Sequence, residues 1–258
     1  MLDNYNEILV ELLKKGKERS DRTGTGTLSL FGRQYHYNIQ DCIPLVTTKK
    51  VSFKLVLSEL LWFIKGSTNV KDLHQYNNHI WDEWADHLGD VGKIYGYQWN
   101  NWGNQLNNVI HEIKTNPYSR RLVISAWNVS ELDQMNLLPC HVLFQFYVHD
   151  NMLSCHLYQR SADAFLGLPF NIASYSILTY MVAQVTNLKP FEFIHSIGDL
   201  HLYKNHIEQA LLQTTRQPYE YPQLIINPHV SNIHDFTMND FKLVNYQHHP
   251  TIKADISV

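Results

Sequence analysis

Two apolar stretches, Cys140 to Val148 and Met152 to Arg160, are separated only by His149-Asp150-Asn151. Each has the length and the aromatic and β-branched content of a strand, and a connection that short joins only antiparallel neighbours. The chain must therefore build around a β-hairpin. Arg121 to Trp127 predicts a strand ahead of it and Phe191 to Gly198 one behind it, while Thr27 to Ile39 reads as an early strand. LIINPHV and FKLVNY alternate near the C-terminus in the same strand-like way.

Helical patterns interrupt these strands. Ile8, Leu9, Leu12 and Leu13 share one helical face, closed by Lys14-Lys15 and Gly16, and Leu106, Val109, Ile110 and Ile113 share another, ended by Asn116-Pro117. Phe53 to Ile64 and Ile172 to Val185 are apolar nearly all round, which predicts buried helices. A last helix is expected from Tyr203 to Thr215. Helices and strands alternate without a βαβα rhythm, so the pattern predicts an α+β fold around a largely antiparallel or mixed sheet flanked by helices. No repeat, low-complexity tract or Pro/Gly/Ser linker divides the 258 residues, and a single domain over 1-258 is expected.

Composition narrows the function. With 44% hydrophobic and 17% charged residues and a formal charge of -3, the chain has no long-range pull toward polyanions, which argues against nucleic acid or a membrane surface as its main partner. Three cysteines without C-x-x-C spacing suggest neither a disulfide framework nor a zinc-thiolate site. The opening MLDNYNEILVELLKKG lacks the apolar core of a signal peptide, and a cytoplasmic location is expected. Among fifteen histidines no metal-ligand spacing stands out, so no metal is predicted.

Several residues stand out for chemistry. Cys140 begins a strand behind the stiff Pro139, and it reads either as a buried small hydrophobe or as a nucleophile on a rigid mount. Arginines gather in DRTGTGT, SRR and QRS, where several forks converging on one dianion would hold a phosphate and lower the thiol pKa; for Arg120-Arg121 the residues alone favour a solvated pair at a strand start. Glu59 is the one acidic residue on the helix Phe53 to Ile64. Burial there requires either an arginine partner or a proton-transfer role with a raised pKa. Trp81 and Trp84 stand three residues apart, so a helical turn would set both on one face as a stacking wall for a flat heteroaromatic; core packing is the alternative. Arg160, Ser161, Asp163 and Asn171 run through apolar surroundings from a strand into a helix, and His201 and Tyr203 fall on one side of an extended segment.

Taken in order, DRTGTGT, PLVTTKK, ELLWF, IWDEWAD, SRRLVISAWN, LPCHVLFQFYV, LYQRSADAFLGLPFNIASY and GDLHLY resemble the thymidylate synthase family, the folate-dependent kind with a cysteine nucleophile. The resemblance spans nearly the whole chain. It implies a homodimer of α+β subunits with sheets packed back to back, converting dUMP and 5,10-methylenetetrahydrofolate to dTMP and dihydrofolate with no metal. Cys140 would add to C6 of the uracil ring, Glu59 would assist proton transfers through ordered water, and Tyr95 would help order the water that takes the C5 proton. Arg22, Arg160 and Ser161 would hold the phosphate, with Arg120 and Arg121 reaching in from the other subunit. Gln159, Ala162, Asp163, Asn171, His201 and Tyr203 would complete the nucleotide site. Trp81, Trp84, Asp163, Leu166, Gly167, Phe170 and Ser52 would shape the folate pocket, with Ser257-Val258 closing over it.

Three positions depart from the family pattern: Ser52 in place of a histidine, Asn100 in place of an arginine and His248 in place of a proline. The segment between Trp102 and Leu106 is also short. Three other readings compete. A nucleotide hydroxymethylase would use the same thiol addition without hydride transfer, and a degenerate binding module would bind dUMP with no adduct. A Cys140-His141 hydrolase is disfavoured because adjacent strand residues face opposite sides.

Overall fold

Local sequence sets the elements in the computed structural model, which describes residues 4–257. Helix α1 (Asn4–Lys15) buries Ile8, Leu9 and Leu12, and it stops at Gly16, where a Cβ would sit 2.5 Å from the Leu12 carbonyl oxygen. Strands β1 (Lys17–Arg19) and β2 (Thr27–Asn38) follow. Helix α2 (Phe53–Lys65) starts at Ser52, whose hydroxyl accepts from the Leu55 N–H, and ends at Gly66 in the left-handed region with φ 70°. Short helix α3 (Lys71–His74) and a 3₁₀ turn at Asp82–Trp84 lead to α4 (Tyr95–Asn101) and α5 (Gln105–Thr115). Gly96 lets α4 press onto α2: a Cβ there would lie 2.2 Å from the Phe63 carbonyl oxygen. That contact brings Tyr95 beside Glu59's helix.

The second half supplies β3 (Val123–Ser125), β4 (His141–His149), β5 (Met152–Asp163), α6 (Gly167–Val185), β6 (Lys189–Tyr203), α7 (Ile207–Thr214), β7 (Gln223–Ile226) and β8 (Phe241–Val244). Six strands form one sheet in the order β1-β2-β6-β5-β4-β3, and β7 and β8 make a separate pair. Within the large sheet every pairing is antiparallel except β5 with β6, which α6 connects as a crossover. The predicted mixed sheet is therefore present. The hairpin between β4 and β5 turns through Asp150 and Asn151, both at positive φ (45° and 61°), as a two-residue loop of this hand requires.

One face of the sheet carries α6, whose residues are buried nearly all round. The opposite face is open, with Phe31 77% and Tyr147 64% exposed.

Several boundaries differ from expectation. The strand predicted over Arg121 to Trp127 is regular only over Val123–Ser125, so Arg121 lies outside it; irregular bonds such as Phe146 N–H to the Leu122 carbonyl continue the contact. The strand expected to end at Gly198 runs to Tyr203, because β2 and β5 both pair along it. That extension takes the start of the expected helix, which shrinks to a 3₁₀ turn at Lys204–His206 and α7. Helix α6 begins at Gly167, five residues before the apolar periodicity does, since Pro169 is tolerated in a first turn. Val258 lies outside the described residues.

Candidate active site

Cys140 sits one residue ahead of β4, where two other elements clamp its backbone. Its N–H donates to the Tyr95 hydroxyl at 2.8 Å, and its carbonyl accepts from the Arg160 N–H at 2.9 Å. The Arg160 guanidinium then closes the loop, donating to the carbonyls of Pro139 (2.9 Å) and Leu138 (2.8 Å), and its Nη2 lies 3.8 Å from Cys140 Sγ. The same guanidinium lies over the Trp127 ring, 5.6 Å from its centre. The rigid mount expected for the sulfur exists, but the expected lowering of its pKa does not. Burial raises the thiol pKa above its ordinary value, outweighing Arg160, a hydrogen bond from Tyr95, and Arg22.

Glu59 projects from α2 into a fully buried position where Trp81 Nε1 donates to it at 2.7 Å. Among the described residues no lysine or arginine pairs with it, so the salt-bridge alternative is not realised. Burial pushes its pKa from 4.5 up to about 7, with the Trp81 bond opposing. Tyr95 is likewise held protonated, its pKa pushed well up by burial and then by the nearby Cys140. His141 turns away from the thiol. It lies among Tyr95 and Tyr175, 5.0 and 5.2 Å between ring centres, and burial lowers its pKa to about 4, so it offers the sulfur no proton acceptor in the manner of a hydrolase pair.

Trp81 and Trp84 do not form the parallel wall expected of a helical turn. They meet edge to face at 5.6 Å and 63°, because the turn there is 3₁₀ and Trp81 precedes it. Trp81 belongs to the core with Trp62 and Phe63, and Trp84 is only half-buried. At the other end of β5, Asp163 accepts from the N–H groups of Phe165 and Leu166 (2.9 and 3.3 Å) and so fixes the turn into α6. Leu166, Gly167 and Phe170 are half-buried around that turn, and Asn171 follows one helical turn later. Ala162 is buried in the strand, and Ser161 is half-buried.

His201 and Tyr203 do share one side of β6, with rings 5.2 Å apart at 86°. Tyr203 gathers the site around it: its pKa is raised by burial and then by Asp163, Asp21 and Cys140, while Arg22 opposes. Arg22 is carried by a loop that folds on itself, Asp21 accepting from the Thr23 N–H, the Thr23 hydroxyl and the Gly26 N–H at 2.9, 2.6 and 2.7 Å. Arg120 and Arg121 are not brought to this cluster. Both are exposed, and Arg120 lines a cleft with Tyr118, Gln145 and Tyr147 on the open face of the sheet. Ser52 caps α2, Asn100 donates to the Gly96 carbonyl at 2.7 Å, and the His248 ring lies 4.8 Å from that of Tyr246, tilted by 49°. Ser257 is tethered to Asn205 at 3.3 Å.

Two buried groups escaped the sequence. Lys49 lies in PLVTTKK, where two adjacent lysines gave no sign that one is buried. Its ammonium sits 3.4 Å from the centre of the Phe165 ring and donates to the Phe165 carbonyl, and burial lowers its pKa to about 7, with Asp163 opposing. His195 is fully buried in β6, and its Nε2 lies 2.9 Å from Gln159 Oε1. The signal was its phase, in step with the inward Phe193 and Ile197.

The sequence pattern also hid His74, His79 and Asp82, which meet across a turn. Each oxygen of the Asp82 carboxylate pairs with one imidazole at 2.7 Å, and those mutual bonds account for the grouping.

The site thus holds a thiol with a fixed backbone, a buried carboxylic acid near neutrality, a protonated phenol between them and two arginines on the sulfur's side. Such a set suits reversible thiol addition to an electron-poor ring of an anionic substrate, with proton transfer alongside. A family model described as thymidylate synthase matches residues 3–258 of the chain.

Proposed function

The chain belongs to the thymidylate synthase family, and on that premise we propose that Cys140 is its nucleophile and that the residues gathered around it carry the reaction. The enzyme is a methyltransferase: it converts dUMP to dTMP through a covalent cysteine adduct and depends on a reduced folate, without a metal cofactor. The observation that carries the assignment to Cys140 is the clamp formed by Tyr95 and Arg160, which fixes the sulfur beside a cation. As the thiol proton passes to solvent water, Arg160 and the Tyr95 hydroxyl stabilise the sulfur anion, which forms a bond to C6 of the uracil while the ring electrons move to C5 and O4. Glu59, with a pKa about 7, holds or accepts a proton near neutral pH. Tyr95 remains protonated and orders the water that takes the C5 proton. Release of the product breaks the carbon–sulfur bond and regenerates the thiol.

Arg22, Arg160 and Ser161 bind the phosphate, His201 and Tyr203 the sugar, and Asn171 the pyrimidine edge, with Gln159, Ala162 and Asp163 completing the nucleotide site. The half-buried Trp84, Leu166, Gly167 and Phe170 offer apolar surface beside Asp163, which fits a pterin ring. Trp81, Ser52 and Ser257 complete the proposed folate pocket. Bound there, 5,10-methylenetetrahydrofolate supplies the one-carbon unit and the hydride.

The subunit works as a homodimer and residues 1-258 act as one domain. The exposed Phe31, Tyr147 and Tyr158 on the open sheet face support back-to-back packing, and the exposure of Arg120 and Arg121 supports their reaching a partner's phosphate site. No helix among the described residues is long and apolar enough to cross a membrane. The cytoplasm is the proposed location. Dihydrofolate absorbance, followed with dUMP and methylenetetrahydrofolate and with dCMP in parallel, tests the assignment. A rise that needs dUMP and disappears in Cys140→Ser is expected; a Cys140→Ser protein turning over at the parent rate would remove Cys140 from the mechanism.

A further inference from the structure

A carboxamide presents opposite hydrogen-bonding patterns at its two ends, so the base that Asn171 accepts depends on which way the amide is held. Uracil offers N3–H as a donor and O4 as an acceptor; cytosine reverses both. An amide free to turn by 180° serves either base. Here it is not free.

The Ser161 carbonyl can only accept a hydrogen bond, and the Gln159 nitrogen lies 2.9 Å from it. The other N–H of that amide reaches Asn171 Oδ1 at 3.0 Å. Gln159 Oε1 is thereby turned toward His195 Nε2, 2.9 Å away, and an oxygen there requires a donor. A flipped Gln159 would face its oxygen toward the Ser161 carbonyl and the Asn171 oxygen, two acceptors. His195 is fully enclosed, and its Nδ1 has no partner, so Gln159 alone determines which nitrogen carries the proton.

We infer that His195 is a specificity-positioning residue: its Nε2–H locks the Gln159 amide, which holds Asn171 with its oxygen toward N3 and its nitrogen toward O4, selecting uracil over cytosine. The inference rests on Asn171 reading the pyrimidine edge. Burial keeps the imidazole neutral, with a pKa lowered to about 3, so the one donor on Nε2 persists across the working pH range. No contact between His195 and nucleotide is involved. It acts through Gln159.

Dissociation constants for dUMP and dCMP, measured by calorimetry on the parent protein and three variants, test this. His195→Leu removes the donor and is expected to narrow the preference for dUMP over dCMP by about tenfold. His195→Gln keeps an N–H and is expected to return most of that preference. An unchanged ratio in His195→Leu, or a His195→Gln protein no better than His195→Leu, overturns the inference. Asn171→Ala separates it from its premise: a ratio that survives Asn171→Ala refutes Asn171 as the base reader, whereas one lost there but kept in His195→Leu refutes only the role of His195. Should His195→Leu not fold, ¹⁵N shifts of the parent imidazole decide the matter. The Nε2–H tautomer is expected, and the Nδ1–H tautomer overturns the proposal.

Discussion

Glu59→Gln isolates what a buried acid costs this fold. In the parent, burial moves the carboxyl from 4.5 to about 7, so the folded chain binds a proton there that the unfolded chain has released. Between those two values stability must therefore fall as pH rises; it is undiminished below about 4.5 and fully reduced above about 7. At ~1.4 kcal/mol for each tenfold change in proton affinity, the loss across that window approaches about 3 kcal/mol. Glutamine keeps the shape and an oxygen to accept from Trp81 Nε1, 2.7 Å away in the parent, but never ionises. Denaturant unfolding of parent and variant at pH 5 and pH 8, at one protein concentration since the proposed subunit association would contribute, gives the comparison. The variant's advantage should grow by about 2–3 kcal/mol between the two pH values while turnover collapses. A difference that stays flat with pH would mean that the carboxyl is ionised without penalty, and the argument from burial would fail.

Arg160→Ala removes the cation beside the sulfur together with two bonds to the 138–140 loop, and the pH midpoint of Cys140 alkylation should rise by about one unit or more; Arg160→Lys should recover part of the charge effect and little of the loop order. Mixing Cys140→Ser with Arg121→Ala subunits should restore activity absent from either alone, since one site of the mixed dimer regains both groups; no recovery after subunit exchange would place Arg121 in its own subunit's site or outside the chemistry. His206 holds the C-terminal segment through the Asp255 carbonyl at 2.7 Å, so His206→Ala should raise the folate KM by about two- to tenfold with dUMP affinity little changed, as steady-state kinetics and nucleotide titration will report.

What the sequence disclosed follows from what each signal measures. The hairpin was legible because a two-residue turn leaves no other pairing, and α2 and α6 were legible because a helix that is apolar all round has only the core to occupy. Strand ends were not. The length of β6 depends on β2 and β5 lying on both sides of it, which the run from Lys189 to Tyr203 does not reveal by itself. The tryptophan wall failed for a related reason: spacing of three implies one face only if the turn is α-helical, and Trp81 was drawn into the core by Trp62, Phe63 and Glu59. At the site, Cys140, Glu59 and the arginines stood out as residue types out of place in their surroundings. Lys49 and His195 did not, because a lysine beside another lysine and a histidine in a polar-looking strand become unusual only once burial is known.

Burial also explains why the arginine cluster did not lower the thiol pKa as expected. In and beside the candidate site it drives unlike groups in one direction, toward their uncharged forms: the Cys140 thiol and Glu59 rise, and Lys49 and His141 fall. Arginine resists that drift because its guanidinium is too basic to neutralise. Arg22 and Arg160 therefore leave a positive field on the sulfur's side of a pocket where the Cys140 thiol keeps its proton and Glu59 is only partly ionised near pH 7. On the proposed reading, a dianionic nucleotide would meet attraction at its phosphate and limited repulsion at its ring. With Cys140 as the nucleophile, a thiol that keeps its proton until the ring is in place would defer charge separation to the moment when C6 can receive the sulfur's electron pair.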